Sequence, residues 1–327
     1  MSLKKTYKLY RNYFCDYLET QKYQVRCFNV ATYDFNSYTS QKDTLNNWLS
    51  RFLVNRMKIS KLTNKTIAIF GVNGFRETIK LDRSDYKIFY TVENVHDEGS
   101  HWKQFEDLLI PEKRVNLSLG FDYIENEKYL RFPFWLMANF MPESTVDDIQ
   151  QKLESYQKTK IDKEKFCAFI CRNLYSGGRQ QFYDIVNSIE SVSCPSNFMH
   201  NDNTLHTEYN NNKREYLQNF KFNLCPENSN YSGLVTEKLF DAVFAGCIPI
   251  YNGADNQPEP EILNQNRILF LKSNDNNDFI LQKIKLLLTD SEQFYNFANQ
   301  PAFTPDAAKI IYGYFENLEK KILEMLK

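Results

Sequence analysis

No stretch of eighteen apolar residues occurs among the 327, so no membrane-spanning helix is expected. The opening segment carries Lys4, Lys5 and Lys8 but lacks the apolar middle of a signal peptide. Glycine and proline are scarce, ten of each, which excludes fibrous and low-complexity classes, and no internal repeat is visible. An excess of one charge is lacking too. Forty basic residues meet forty-one acidic ones, and a net charge of −1 supplies no field to draw in nucleic acid or an anionic membrane. Any anion site must therefore be local. Seven cysteines, at 15, 27, 167, 171, 194, 225 and 247, form no CxxC pair and no disulfide scaffold. Their odd number suits a reducing cytoplasm. The sequons at Asn64, Asn116 and Asn230 would be open to glycosylation in a secretory pathway, and modification of Asn230 would block the segment singled out below.

What is present is a chain long enough for two domains, with 42% hydrophobic and 15% aromatic residues. Lys65 to Phe70 and Tyr86 to Val92 read as short buried strands, and Val115 to Leu119 as a third, each ending in a polar or glycine loop. Between Asn139 and Glu164 apolar density falls, and Thr145 with Asp148 forms a helix-capping pair. Phe166 to Cys171 reads as another strand. It is followed by Ser176-Gly177-Gly178 and a helix from Arg179 whose apolar face is Phe182, Ile185, Val186 and Ile189. A second helix, about 236–245, places Leu239, Phe240, Val243 and Phe244 inward; Gly246 caps it and a strand follows at Cys247 to Tyr251. The C-terminal stretch is amphipathic, with Ile311, Phe315, Leu318, Ile322 and Met325 on one side. It is expected to dock on the protein, with peripheral contact at the inner face of a membrane as the alternative. The expected boundaries are 1–145, a linker at 146–164, 165–305, and a terminal helix at 306–327.

Two cations stand where an anion would bind. Arg179 opens a helix behind two glycines, where amide donors and the helix dipole favour a phosphate that its guanidinium can fork onto. Lys238 sits in the first turn of the second helix, where a cation is unfavourable unless something compensates it. Beside it, Glu237 either stabilises the helix or accepts hydrogen bonds from a sugar diol. A metal motif is absent: the nearest D-x-D is Asp275-Asn276-Asn277-Asp278, misspaced by one residue, and Asn201-Asp202-Asn203 holds one carboxylate. No metal and no cofactor are expected.

The string from Asn228 to Ala242, containing Val235-Thr236-Glu237-Lys238, followed by Ile248-Pro249-Ile250, resembles the signature of the α1,3-fucosyltransferase family, glycosyltransferase family 10, of bacterial type. Lys221 to Asn228 is similar to that family's K-F-x-L-x-x-E-N lead-in, and Phe89-Tyr90-Thr91-Val92-Glu93-Asn94 to its base-bearing strand end. The resemblance implies an α/β fold of GT-B type, with two Rossmann-like domains facing a cleft, the first binding the acceptor and the second GDP-fucose. It implies inverting, metal-independent transfer of L-fucose to a GlcNAc-containing oligosaccharide or glycolipid, with α1,3 linkage. It gives Glu93 the role of general base, Arg179 and Lys238 the pyrophosphate, and Asn228 and Glu237 the ribose or sugar hydroxyls. His96 and His101 are the other base candidates in the loop. Leu234, Pro226 and Asn252 depart from the family pattern around the donor. A related transferase using another nucleotide sugar and a non-catalytic carbohydrate-binding protein therefore stay open.

Overall fold

In the computed structural model, residues 29–33, 47–110, 114–155, 163–172, 178–273 and 275–327 are described, together with Lys4, Tyr7, Tyr10, Arg11, Phe14, Cys15 and Leu18 of a helical stretch. The chain divides into two units, Met1–Ser144 with Gly313–Lys327, and Thr145–Tyr312. Each holds one five-stranded sheet whose pairings are all parallel. Parallel sheets are covered on both faces, so their strands read as unbroken apolar runs. Ile67–Gly71 (β2) is such a run, buried at every position.

The first sheet runs in chain order: Val30–Tyr33 (β1), β2, Tyr86–Tyr90 (β3), Leu117–Gly120 (β4) and Tyr129–Arg131 (β5). β2 starts two residues later than the strand expected from Lys65 because Thr66 is already committed elsewhere. Its amide and hydroxyl both donate to the Asp85 carboxylate, at 2.9 and 3.0 Å. The second sheet combines Lys165–Ala168 (β6), Val192–Ser193 (β7), Phe220–Leu224 (β8), Ile248–Tyr251 (β9) and Leu269–Phe270 (β10) in the order β10-β9-β8-β6-β7. From β6 the chain steps outward to β7, then returns to the other side for β8. The order therefore reverses between β6 and β8.

The helices follow the expected faces. In Arg179–Asn187, Phe182 and Val186 are fully buried while Ile185, and Ile189 just past the helix end, pack at the margin of the same core. Thr145 and Asp148 close the anticipated reciprocal cap: the Asp148 amide donates to the threonine hydroxyl at 3.2 Å and the Thr145 amide to the carboxylate at 2.9 Å. The helix they open is Val146–Ser155, the first part of the expected 146–164 linker; residues 156–162 of that linker lie outside the described residues.

The last helix, Ala307–Met325, buries Ile311, Phe315, Leu318 and Ile322 almost completely, while Met325 is half-buried. Its residues from Gly313 on belong to the first unit, where Phe315 packs on Trp48, Phe52 and Phe132 with centroids 5.4, 6.3 and 6.3 Å away. The Arg56 guanidinium covers the Phe315 ring at 5.4 Å and bonds Glu319 and the Ser144 carbonyl. The apolar face is thus occupied by protein. No helix among the described residues is long and apolar enough to cross a membrane. Replacing Phe315 by alanine should cost about 3–5 kcal/mol in urea unfolding, because a fully buried aromatic leaves a cavity. A loss below about 1 kcal/mol would show that this helix is not part of the first unit's core.

Candidate active site

In open parallel sheets ligands settle at the carboxyl ends of strands where the strand order reverses. Here that place lies between the segments leaving β6, Phe169 to Cys171, and β8, Cys225 to Asn228. Glu227 is the anchor of the second segment. Its amide donates to the Asn252 carbonyl at 2.8 Å, and its carboxylate is only 1% exposed. A buried carboxylate must be compensated. Glu227 accepts from the Thr236 amide at 2.8 Å, the Thr236 hydroxyl at 2.7 Å and the Lys238 ammonium at 3.2 Å. Thr236 is the N-cap position of Glu237–Phe244, so the carboxylate also meets the positive end of that helix. The space is tight. At Gly253, with φ of 156°, a Cβ would come 2.6 Å from both Glu227 Cγ and the Tyr251 hydroxyl, so only glycine fits.

This arrangement explains the cation in a helix's first turn. Lys238 donates to the Thr236 hydroxyl at 2.8 Å and lies 3.9 Å from Glu237. Burial alone would lower its pKa, but Glu227 and then Glu237 outweigh it and raise it, so the ammonium is charged. For Glu237, burial pushes the carboxyl up, while Lys238 and Lys213 overcome that and hold it below the usual range. Arg179 is 5% exposed and donates to the Asn228 side-chain carbonyl. Its like charge repels that of Lys238 and works to lower the lysine's pKa.

Arg179, Lys213 and Lys238 line one small cavity of roughly 30 Å³, together with Asn223, Pro226 and Asp241. The structure thus gathers Arg179, Asn228, Glu237 and Lys238 in the second unit; Ser176 and Gly177 lie outside the described residues. Sequence reading gave no role to Glu227 or Lys213. Glu227 stood in the E-N lead-in, but its partners are nine and eleven residues further on. Lys213 opens the short helix Lys213–Leu217 from an asparagine-rich loop with no periodic signal.

Two other segments have structural duties. Among Asp275 to Asp278, Asn277 is the N-cap position of Asp278–Thr289, and its side chain accepts from the Lys272 amide at 2.8 Å. Asp202 accepts from the Thr204 amide and hydroxyl and from the Tyr216 hydroxyl. Among the described residues no cluster of His, Cys, Asp and Glu could hold a metal ion.

Glu93 belongs to the first unit. β3 ends at Tyr90, and the Thr91 amide still bonds the Leu119 carbonyl at 3.0 Å. Thr91 Oγ1 then accepts from the Glu93 amide and donates to its carbonyl, turning the chain. Val95 is fully buried, which leaves Glu93 half-buried at the sheet's carboxyl edge. His96, the alternative base candidate in this loop, is held by two carboxylates. Its Nδ1 lies 2.9 Å from Glu106 Oε1 and its Nε2 2.7 Å from Asp122 Oδ1. With both nitrogens engaged by carboxylates, the ring is poorly placed to act as a base. Burial raises the Asp122 pKa against the pull of His96.

These two sets of residues fall in regions with known relatives. A family model described as the Alpha-(1,3)-fucosyltransferase FucT N-terminal domain matches residues 30–138, and one described as Glycosyltransferase family 10 (fucosyltransferase) C-term matches 159–300. The chain belongs to glycosyltransferase family 10. Alpha-(1,3)-fucosyltransferase FucT of Helicobacter pylori is 29% identical over 271 residues, 74% of this chain and 52% of the relative. The chain spans about half the length of that curated relative. A crystal structure of alpha1,3-fucosyltransferase with GDP-fucose superposes with a TM-score of 0.57 at 23% identity, covering 89% of this chain and 90% of the other. A further alpha1,3-fucosyltransferase structure gives 0.54 at 23% identity, covering 78% of each chain. The fold of this family 10 chain is accordingly of GT-B type.

Exchanging Glu227 for glutamine keeps the shape but removes the charge that Lys238 faces. Stability at neutral pH should drop by about 2 kcal/mol in chemical denaturation. A change within about 0.5 kcal/mol, typical of a surface site, would contradict the pairing.

Proposed function

We propose that this family 10 chain is an inverting α1,3-fucosyltransferase that carries L-fucose from GDP-fucose to a GlcNAc-containing oligosaccharide or glycolipid. The observation that carries the reading is the pair of cations, buried Arg179 and half-buried Lys238, on one cavity at the switch point of the second sheet. The family match, and the GDP-fucose named for one structure of the same fold, support the donor class.

Departure of GDP leaves negative charge on the pyrophosphate, and preorganised cations stabilise it without reorganisation at the moment of reaction. Arg179 and Lys238 fill that role, with Lys213 at the cavity wall as a third positive charge. Asn228 is oriented by Arg179 and, with Glu237, hydrogen-bonds ribose or fucose hydroxyls. Glu93 takes the proton from the acceptor hydroxyl as its oxygen attacks fucose C1, and the single displacement inverts that carbon. Cations on the leaving group make a catalytic metal unnecessary. We place acceptor binding in residues 1–145 and donor binding in 165–305, and we place the protein in the cytoplasm.

A donor other than GDP-fucose is favoured by one observation only. Pro226, which departs from the family pattern, lines the cavity. Thermal-shift comparison of GDP-fucose, GDP-mannose and UDP-sugars separates these donors, and selective stabilisation by a UDP-sugar would overturn the donor assignment.

Glu93→Gln should lower transfer by about 10²–10⁴-fold while GDP affinity stays at the wild-type value. Normal transfer by this variant would remove Glu93 from the mechanism. Lys238→Ala should weaken GDP binding in calorimetry by about tenfold or more. Unchanged affinity would rule out its phosphate role.

A further inference from the structure

Beyond the candidate base, the carboxyl edge of the first sheet carries an exposed aromatic ring that no step above uses. Tyr123 is 64% exposed, although its neighbours Phe121 and Asp122 are only 2% and 6% exposed. The ring rests on a fixed support. The Arg131 guanidinium covers it at 4.5 Å, donates to the Phe121 carbonyl at 2.9 Å and to the Tyr314 hydroxyl at 2.5 Å, and lies 6.0 Å from the Tyr314 ring. A guanidinium held by a backbone carbonyl, a phenol and two rings has few alternative positions. The phenol ring lying on it is therefore presented as a preorganised plane.

The place of that plane matters. Tyr123 follows β4 as Glu93 follows β3, and the two strands are neighbours with Tyr90 paired to Leu119. The two loops are also fastened together, because His96 Nε2 lies 2.7 Å from Asp122 Oδ1, one residue before Tyr123. The ring and the carboxylate therefore leave the same sheet edge on adjoining, linked loops of one unit.

We propose that Tyr123 is a stacking platform for a pyranose ring of the acceptor, next to the sugar that receives the transferred group. The C–H face of a pyranose packs on an aromatic ring while its hydroxyls stay in water, and an aromatic fixed from behind loses little entropy on binding. Arg131 fixes the orientation of the ring, and the His96–Asp122 contact sets the distance from platform to base. The inference rests on the transferase reading given above and adds a residue that selects the acceptor.

Tyr123→Ala, Tyr123→Trp and, as a control on another exposed aromatic, Phe279→Ala are compared with wild type on the best glycan from an acceptor screen. Acceptor KM, GDP affinity by calorimetry and release of GDP without acceptor are read for each. Tyr123→Ala should raise acceptor KM about tenfold, with GDP affinity and melting temperature unchanged, and Tyr123→Trp should keep acceptor KM within about threefold of wild type. The control should behave as wild type. An unchanged acceptor KM in Tyr123→Ala, or a rise matched by Phe279→Ala, would overturn the platform. If wild type neither releases GDP from the donor nor transfers, the transferase reading itself fails, and this outcome is distinct from a variant-specific effect.

Discussion

The second unit is organised around a buried negative charge. Glu227 sits beneath the loop leaving β8 and draws to itself the N-cap threonine and the first-turn lysine of the following helix. Without it, Lys238 would be a cation at the positive end of a helix dipole, in a partly dry site beside Arg179. With it, the lysine stays charged and its direction is set. The Glu227 side chain, with Tyr251, also restricts residue 253 to glycine, and the Glu227 backbone amide bonds the Asn252 carbonyl just past the end of β9. One residue thus couples loop, helix start and strand end.

The surplus of positive charge at the cavity follows from this coupling. Glu227 and Glu237 neutralise part of the charge of Arg179, Lys213 and Lys238, and Asp241 is partnered by Arg214 at 2.7 Å. A diphosphate is suited to such a site because it can meet several cations at once, and a guanidinium and an ammonium offer it complementary donor geometries. The first unit solves a different problem. It holds one carboxylate, Glu93, half-buried at a sheet edge, by burying Val95 and clamping His96 between Glu106 and Asp122.

Much of this was legible from spacing. The apolar faces starting at Arg179 and Glu237 and running through the last helix are periodic over enough residues to predict, and they pack as expected. The terminal strands β1, β5, β7 and β10, two to four residues long, were not legible because so few positions carry no pattern. That reversal of strand order marking the cavity depends on β7 standing outside β6, which sequence does not express. The anomaly of Lys238 was readable, but its resolution was not, because Glu227 is eleven residues away across a loop. The engagement of His96 was not readable for the same reason, since its two partners lie ten and twenty-six residues beyond it.

The central claim is that protein cations form a site for a diphosphate. Calorimetric titration of the wild-type chain with GDP and with GMP, both in the presence of EDTA, tests it most directly. The account predicts that GDP binds under chelation and that GMP, lacking the second phosphate, binds at least about tenfold more weakly. Equal affinity for the two nucleotides, or GDP binding that returns only when a divalent metal is restored, would contradict it.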